Sequence, residues 1–291
     1  MQQTNQILPN PLGRFLPHRK ALPFILPFAA IIFQSIVTLG QHDTLYQGTR
    51  INKEYFVSYW KDTKAIASEP FHWKLKQWSF AAGIAGIGIV TYVYDQDIYD
   101  FFQDHRTSTT ENISKYLLEP WGSGLYSLPL LAGIYIISPR GSRHRQIALT
   151  GVKAFILSGG AAAVSKHIFH RHRPGDDDPP DPRKWEGPFP FTLDYTSFPS
   201  GHATTAFAVA TVLAMGYQDH LWVGVSSYTL ATLTSLSRIH DSKHWASDVV
   251  AGGALGFFIG ATLSKVNFKK VRIEPAAFRG GQGIKLTWNL N

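Results

Sequence analysis

Three short segments of the chain carry side chains that could hold and transfer a phosphate group. The first is Ser200-Gly201-His202, which follows a proline-rich stretch and precedes an apolar, helix-forming run. We therefore predict these residues on the first turn of a helix, where unpaired N–H groups and the helix dipole attract anions. Ser200 adds a hydroxyl, Gly201 lets an anion approach the backbone, and His202 can carry a proton near neutral pH. Taken alone, an ordinary helix cap explains this segment slightly better.

The second segment is basic and runs from Lys166 to Pro174 at the end of an apolar stretch. Lys166 and Arg173 are seven residues apart, which is two helical turns, so one helix would place both on the same face. Arginine offers a bidentate fork for phosphate oxygens, and lysine offers a point charge. Pro174 is predicted to end the helix. Considered alone, this segment is better explained as a solvated basic helix end, which the helix dipole favours.

The third segment, from Ser237 to Asp248, contains a histidine and an aspartate with helical spacing. If a helix begins near His244, Asp248 lies one turn further along the same face. A carboxylate beside an imidazole fixes its tautomer and stabilises the charge that it gains as a nucleophile or a base. Arg238 supplies a further phosphate fork. The segment could also be a simple His–Asp pair at a helix start.

A metal site is the alternative for these histidines. His240 and His244 could ligate a metal ion together with Asp241 or with the aspartates at 176–178. The chain lacks a His-Glu-x-x-His pattern, and we predict no metal. Taken together, the three segments place cationic groups, two histidines and an aspartate at helix ends. This combination favours a single anion pocket with a nucleophile and an acid.

Composition limits the other functions that the chain could have. It has 291 residues, a net charge of +8 and no cysteine, so disulfides, thiolate nucleophiles and cysteine–zinc sites are excluded. The positive charge suits an anionic partner. The basic residues are dispersed and lie beside apolar segments, so no nucleic-acid partner is predicted.

The N-terminal part of the chain indicates export or anchoring. A basic stretch ends at Lys20, and residues 21–40 form an uncharged apolar run, so we interpret residues 1–40 as a signal peptide cleaved after Gly40 or as an uncleaved membrane anchor. Residues 41–77 form an amphipathic arm, which would lie at a membrane interface or pack on its own domain.

Six apolar segments rich in glycine, alanine and serine indicate an all-α fold with a six-helix bundle core within residues 78–265. They are Trp78–Tyr94, Leu125–Ser138, Ile147–Ser165, Ala203–Tyr217, Leu221–Leu236 and Val249–Ser264. Several are shorter than the roughly 20 residues of a bilayer span, so a membrane bundle and a soluble bundle both remain open. If all six segments span the membrane, the positive-inside rule places the three motif segments and the acidic loop Asp95–Glu119 outside. An export signal conflicts with this topology, because the first span would then start from the outer side of the membrane.

The last residues change in character. Within 266–291, two stretches alternate with a strand period around a glycine-rich turn, so a short C-terminal β-hairpin tail is predicted. Residues 175–195, acidic and then aromatic, form a long connection that we interpret as a lid that selects the substrate, with an ordinary surface connection as the alternative.

The three motifs resemble those of the type 2 phosphatidic acid phosphatase and vanadium haloperoxidase superfamily. The family pattern Lys-x6-Arg-Pro, Pro-Ser-Gly-His and Ser-Arg-x5-His-x3-Asp is matched at every motif position, and the resemblance covers roughly residues 78–265. It implies that His244 attacks phosphorus to form a phosphohistidine, that Asp248 orients His244, and that His202 protonates the leaving oxygen. It also implies that the phosphoryl oxygens are held by Lys166, Arg173, Ser200, Gly201 and Arg238.

The resemblance implies a metal-independent phosphatase with no cofactor and with vanadate as an inhibitor. The expected substrate is a phosphate monoester or diphosphate, and the apolar helices favour a lipid such as phosphatidate, a polyprenyl diphosphate or lipid A. The expected location is a bacterial-type cell envelope, at the membrane, with the site facing the periplasm. The alternatives are a soluble periplasmic acid phosphatase of broad specificity, a vanadium-dependent haloperoxidase and a non-catalytic envelope protein.

Overall fold

The computed structural model describes residues 49–188, 194–268, 271–278 and 281–288. The predicted signal or anchor segment, residues 1–40, lies outside the described residues. The same is true of the aromatic centre of the predicted lid, residues 189–193.

The described chain folds into ten α-helices followed by two strands. Helices α1 to α10 span Lys53–Ser68, Leu75–Val93, Asp95–Asp104, Ser108–Ile113, Glu119–Ser123, Ser127–Ile137, Arg143–Phe169, Gly201–Gly216, Leu221–His240 and Ala246–Asn267. A 3₁₀ turn, Glu69–His72, follows α1, and a π-helical turn, Ser114–Leu118, joins α4 to α5. Strands β1 (Val271–Phe278) and β2 (Gly281–Trp288) pair in antiparallel fashion, with Val271 opposite Trp288.

The predicted fold class needs correction. Each of the six apolar segments is a helix (α2 and α6 to α10), but the expected acidic loop at 95–119 is itself helical and forms α3 to α5. The C-terminal β-hairpin is not part of this fold class: among the described residues from 53 to 267 the regular elements are all helices, and β1 and β2 form a two-stranded sheet of their own. The alternation of residue types in the tail predicts only the local pairing of β1 with β2 and not the fold of the domain.

Three glycines bring α10 very close to α8. Gly252, Gly256 and Gly260 are four residues apart and lie on one face of α10. A Cβ atom added at Gly252 would lie 2.5 Å from the carbonyl oxygen of Ser200, and one at Gly260 would lie 2.6 Å from that of Ala208. A side chain at any of the three positions would push the helices apart, so this stripe fixes how α10 packs on the N-terminal half of α8.

The hydrophobic core lies around α8 and joins it to three neighbouring helices. Leu131 of α6, Ile147 of α7, Val212 of α8 and Ile259 of α10 are at most 1% exposed and belong to one cluster. This packing holds the ends of α7, α8 and α10 in fixed relative positions, and those ends carry the three motifs.

Helix α1 packs on the domain through one face. The buried hydroxyl of Tyr55 donates to the carbonyl oxygen of Leu149 at 3.1 Å, and the buried Asp62 accepts from Lys153 Nζ at 2.7 Å. Phe56 is 63% exposed on the same helix. The predicted arm therefore makes domain contacts while leaving a large apolar side chain outside.

Candidate active site

The start of α8 is built as the sequence predicts. Ser200 is the N-cap residue, fully buried, and its hydroxyl accepts from the backbone N–H of Ala203 at 3.4 Å. Its own N–H donates to the carbonyl oxygen of Asp248 at 3.0 Å, which ties this turn to α10. Lys166 passes over the turn, because its Cε lies 3.8 Å from the point where a Gly201 Cβ would stand.

Lys166 and Arg173 meet, but not by sharing a helix face. Helix α7 ends at Phe169, because His170 adopts a left-handed conformation with φ of 42°. Arg173 thus lies beyond the helix, and the predicted two-turn spacing is wrong. Both cations still converge on Thr196: Lys166 Nζ donates to its carbonyl oxygen, and Arg173 Nη2 donates to its hydroxyl at 2.9 Å.

His244 and Asp248 lie side by side at the start of α10. His244 is 4% exposed, and its Nδ1 is 3.8 Å from Asp248 Oδ2, which is too long for a hydrogen bond. Asp248 instead accepts from Ser197 Oγ at 2.5 Å and from the backbone N–H of Trp245 at 2.9 Å. Catalytic hydrogen bonds are often long without substrate, so this pair can still tighten.

The surroundings of His244 keep its imidazole neutral. Burial is the main cause, and it lowers the pKa of His244 to about 3. The nearby charges of Lys166 and Arg173 lower it further, while Asp248 opposes the shift. A neutral imidazole has a lone pair that can attack phosphorus, and the two cations beside it would attract an anionic phosphate.

Arg238 shapes the site through its backbone as well as its charge. Its carbonyl oxygen accepts from the N–H groups of Lys243 at 3.0 Å and His244 at 3.2 Å, so it holds the loop that presents His244. Its guanidinium is bound by Asp241 at 2.6 Å. The side chain is 5% exposed, so its charge acts within the protein interior.

His202 has a carboxylate partner that the sequence did not indicate. Its Nε2 is 2.9 Å from Oε1 of Glu119, the first residue of α5. The bond to His202 is the largest of the causes that hold the pKa of Glu119 below its usual range. Glu119 lies in a stretch interpreted as a solvated acidic loop, and only the tertiary approach of α5 to α8 distinguishes it from its acidic neighbours.

A second missed pair lies behind Asp248. Arg171 is fully buried, and its guanidinium donates to Asp248 Oδ1 at 2.5 Å and to Asp95 Oδ2 at 2.7 Å. Its planar group also lies 4.7 Å from the ring centroid of Trp185. The sequence signal was a third charged residue between Lys166 and Arg173, but nothing local pointed to a partner at position 95.

The alternative metal site is not supported in the described part of the chain. It contains no group of three or more histidine, aspartate or glutamate residues arranged to hold a metal ion. His240 Nδ1 is 3.0 Å from Asp241, and its Nε2 is 2.8 Å from Thr110 Oγ1. Both ring nitrogens of His240 therefore have protein partners.

The described parts of the predicted lid are fastened to the basic motif. His172 lies between two carboxylates, at 2.8 Å from Asp177 and 3.0 Å from Glu186, and stacks on Tyr195 with ring centroids 3.7 Å apart. Trp185 packs against Phe198, which precedes the start of α8, with the rings tilted by 59° and their centroids 5.3 Å apart. Whether this connection selects a substrate stays a prediction.

Comparison with known proteins identifies the family. Residues 148–272 match the PAP2 superfamily. The chain is 37% identical over 105 residues to lipid A 1-phosphatase of Porphyromonas gingivalis, a match that covers 36% of this chain and 20% of that protein. It is 28% identical over 182 residues to undecaprenyl-diphosphatase of Sulfolobus acidocaldarius, covering 62% and 79% of the two chains.

A third relative is similar over most of its length. Decaprenylphosphoryl-5-phosphoribose phosphatase of Mycobacterium tuberculosis is 35% identical over 143 residues, which are 49% of this chain and 71% of that protein. The chain belongs to the PAP2 superfamily, and the prediction drawn from its three motifs is confirmed at this level. All three relatives are named as phosphatases, which supports the prediction of a phosphoric ester hydrolase.

Proposed function

We propose that this chain is a metal-independent phosphatase of the cell envelope that hydrolyses a phosphate monoester or a diphosphate of a lipid through a phosphohistidine on His244. One observation carries this proposal. His244 is buried, its pKa is lowered to about 3, and the charges of Lys166 and Arg173 act on its ring. A neutral nucleophile beside cationic groups suits attack on an anionic phosphate.

The reaction has two balanced steps. Nδ1 of His244 faces Asp248, so Nε2 attacks phosphorus; the N–P bond forms while the P–O bond to the lipid breaks, and His202 gives its proton to the leaving oxygen. Water then attacks the phosphohistidine, His202 takes the proton of that water, and inorganic phosphate leaves. The negative charge that develops on the phosphoryl oxygens is stabilised by Lys166, Arg173, Ser200, the Gly201 amide and Arg238.

Two features support a lipid substrate. The relatives carry the names of phosphatases for lipid A and for undecaprenyl and decaprenyl compounds. Helices α7 and α10 are long and apolar enough to cross a membrane, and α2 exposes large apolar side chains, including Ile89 at 66% and Val93 at 62%. Such surface is costly in water and suits contact with lipid.

The proposed orientation follows from charge at the two ends of the helices. Lys166, Ser200 and His244 lie at or beside the C-terminus of α7, the N-terminus of α8 and the N-terminus of α10. The opposite end carries the basic segment Arg140–Arg145. Because basic ends face the cytoplasm in membrane proteins, we place the site on the periplasmic side.

Phosphate release should be measured on the purified full chain in detergent with phosphatidate, undecaprenyl diphosphate, lipid A and the water-soluble p-nitrophenyl phosphate. The expected result is release from at least one lipid that is lost in His244→Ala and His202→Ala. His72→Ala, which alters an exposed histidine outside the site, is the matched control and should retain the rate. Turnover of the soluble ester with none of the lipids would contradict the lipid assignment and favour a soluble-type acid phosphatase.

The covalent step has its own test. Quenching with alkaline detergent during turnover of ³²P-labelled substrate preserves the acid-labile N–P bond, and it should leave labelled protein in the wild type and none in His244→Ala. Vanadate should inhibit the release, and EDTA should not. If His244→Ala kept the wild-type rate, or if activity depended strictly on a divalent metal ion, the mechanism would be wrong.

A further inference from the structure

Two histidines of the site have different partners and different exposure. His244 and Asp248 are buried, whereas the side chains of His202 and Glu119 are 29% and 32% exposed. The second pair thus stands where a substrate and water can reach it. Its separation of 2.9 Å is a hydrogen bond, which the 3.8 Å between His244 and Asp248 is not.

The structure fixes Glu119 in this position from both sides. A Cβ atom added at Gly122 would lie 2.7 Å from Cβ of His202, so only glycine lets α5 come this close. Thr205 Oγ1, one turn along α8, donates to the carbonyl oxygen of Gly122 at 2.6 Å. From α9, Thr234 Oγ1 donates to the carbonyl oxygen of Leu118 at 3.1 Å.

The charges around His202 come from several elements. Glu119 faces it from α5, and Arg238 of α9 is close enough to lower the pKa of the Glu119 carboxyl group. Lys166 of α7 lies over the neighbouring Gly201. Among these groups, Glu119 is the one that contacts the ring of His202 directly, at 2.9 Å.

The geometry points to Glu119 as a positioning residue that orients the ring of His202, with Nε2–H bound to the carboxylate and Nδ1–H left to protonate the leaving oxygen. This inference rests on the proposed function. When Nδ1 gives up its proton, Nε2–H stays bonded to Glu119 and the ring becomes neutral. When water attacks in the second step, Nδ1 takes its proton and restores the imidazolium. Glu119 therefore acts on the acid as Asp248 is expected to act on the nucleophile.

The first test uses a titration that does not depend on turnover. The chain with ¹³C-labelled histidine rings should be titrated by NMR as wild type, Glu119→Gln and Glu119→Asp, with His202→Ala assigning the signal. Losing an adjacent opposite charge should lower the titration midpoint of His202 by about one pH unit or more in Glu119→Gln. Glu119→Asp should recover part of that shift. An unchanged midpoint in Glu119→Gln would overturn the inference even if the chain proved inactive on every phosphate ester.

The second test uses the leaving group. In Glu119→Gln, hydrolysis of the best lipid monoester should fall by about tenfold to a hundredfold, because alkoxide needs a proton to leave. Hydrolysis of p-nitrophenyl phosphate should fall much less, because its phenolate leaves without one, and the alkaline limb of the lipid rate should move to lower pH. Glu111→Gln, which alters an exposed acid on α4, is the control and should resemble wild type. Equal losses on both esters with an unshifted limb would show a merely structural role, whereas wild-type inactivity on both would count against the proposed function instead.

Discussion

Replacing Arg171 by alanine should strongly destabilise the protein. The guanidinium is fully buried and bonds to two carboxylates that are themselves 0% exposed, Asp95 and Asp248. Removing one partner of a buried ion pair costs about 3–5 kcal/mol, because the remaining charge is left without compensation. Since two carboxylates lose their cation, we expect a loss of at least about 3 kcal/mol, roughly a hundredfold in the folding equilibrium.

The assay is chemical denaturation of the full chain, followed by tryptophan fluorescence, with stability taken from the transition midpoint and slope. Arg106→Ala is the matched control, because Arg106 pairs with Glu111 at 2.7 Å but is 37% exposed. Exposed pairs contribute about 0–1 kcal/mol, so this variant should differ little from wild type. A loss in Arg171→Ala no larger than that of Arg106→Ala would refute the reasoning.

A double variant separates the charge effect from lost packing around Trp185. Asp95→Asn neutralises one of the two carboxylates that Arg171→Ala would leave unpaired. The double variant should therefore lose less stability than the sum of the two single changes, by about 1–3 kcal/mol. Simple additivity would show that the ion pair between Arg171 and Asp95 contributes nothing to the cost of Arg171→Ala.

Two other predictions follow from the fold and from His244. Gly256→Ala should destabilise the protein by about 1–3 kcal/mol, because its methyl group would collide with the carbonyl oxygen of Thr204. In the same denaturation measurement, Gly160→Ala should be neutral or slightly stabilising, because its methyl group meets nothing within 4 Å. Because the pKa of His244 falls from about 6.5 in the unfolded chain to about 3 in the folded one, only the unfolded chain gains this proton between those values, so stability should decrease as pH falls through that window. His244→Asn should lose less stability than wild type between pH 6.5 and pH 3, and parallel curves would contradict the assignment.

The helices were predictable because their signal is local. Apolar runs rich in small residues became α2 and α6 to α10, and the glycines of α10 became its contact with α8. The end of α7 was not predictable, because it depends on His170 adopting a left-handed conformation that few non-glycine residues favour. Arg173 therefore lies in a loop and not on the predicted helix face, yet its guanidinium still donates to the hydroxyl of Thr196.

The two missed carboxylates show where local reasoning stops. Asp95 and Glu119 begin α3 and α5, in a stretch that looked like a solvated acidic loop. Their partners, Arg171 and His202, are 76 and 83 residues away along the chain. The sequence around a charged residue in a polar stretch does not reveal such a distant partner, because the packing of α3 and α5 on α8 to α10 determines the pairing.

The two histidines show what the structure adds to a motif. In the sequence alone, His202 and His244 are equivalent, because each is a histidine near the start of a predicted helix. Burial removes water from His244 and makes its neutral form the stable one, whereas His202 is partly exposed and its Nε2 lies 2.9 Å from the carboxylate of Glu119. A phosphoryl transfer of the proposed kind needs one neutral nucleophile and one protonated acid at the same pH. The two side chains are identical, so their different roles come from burial in one case and from a carboxylate neighbour in the other. The proposed chemistry therefore depends on these two environments as well as on the two histidines.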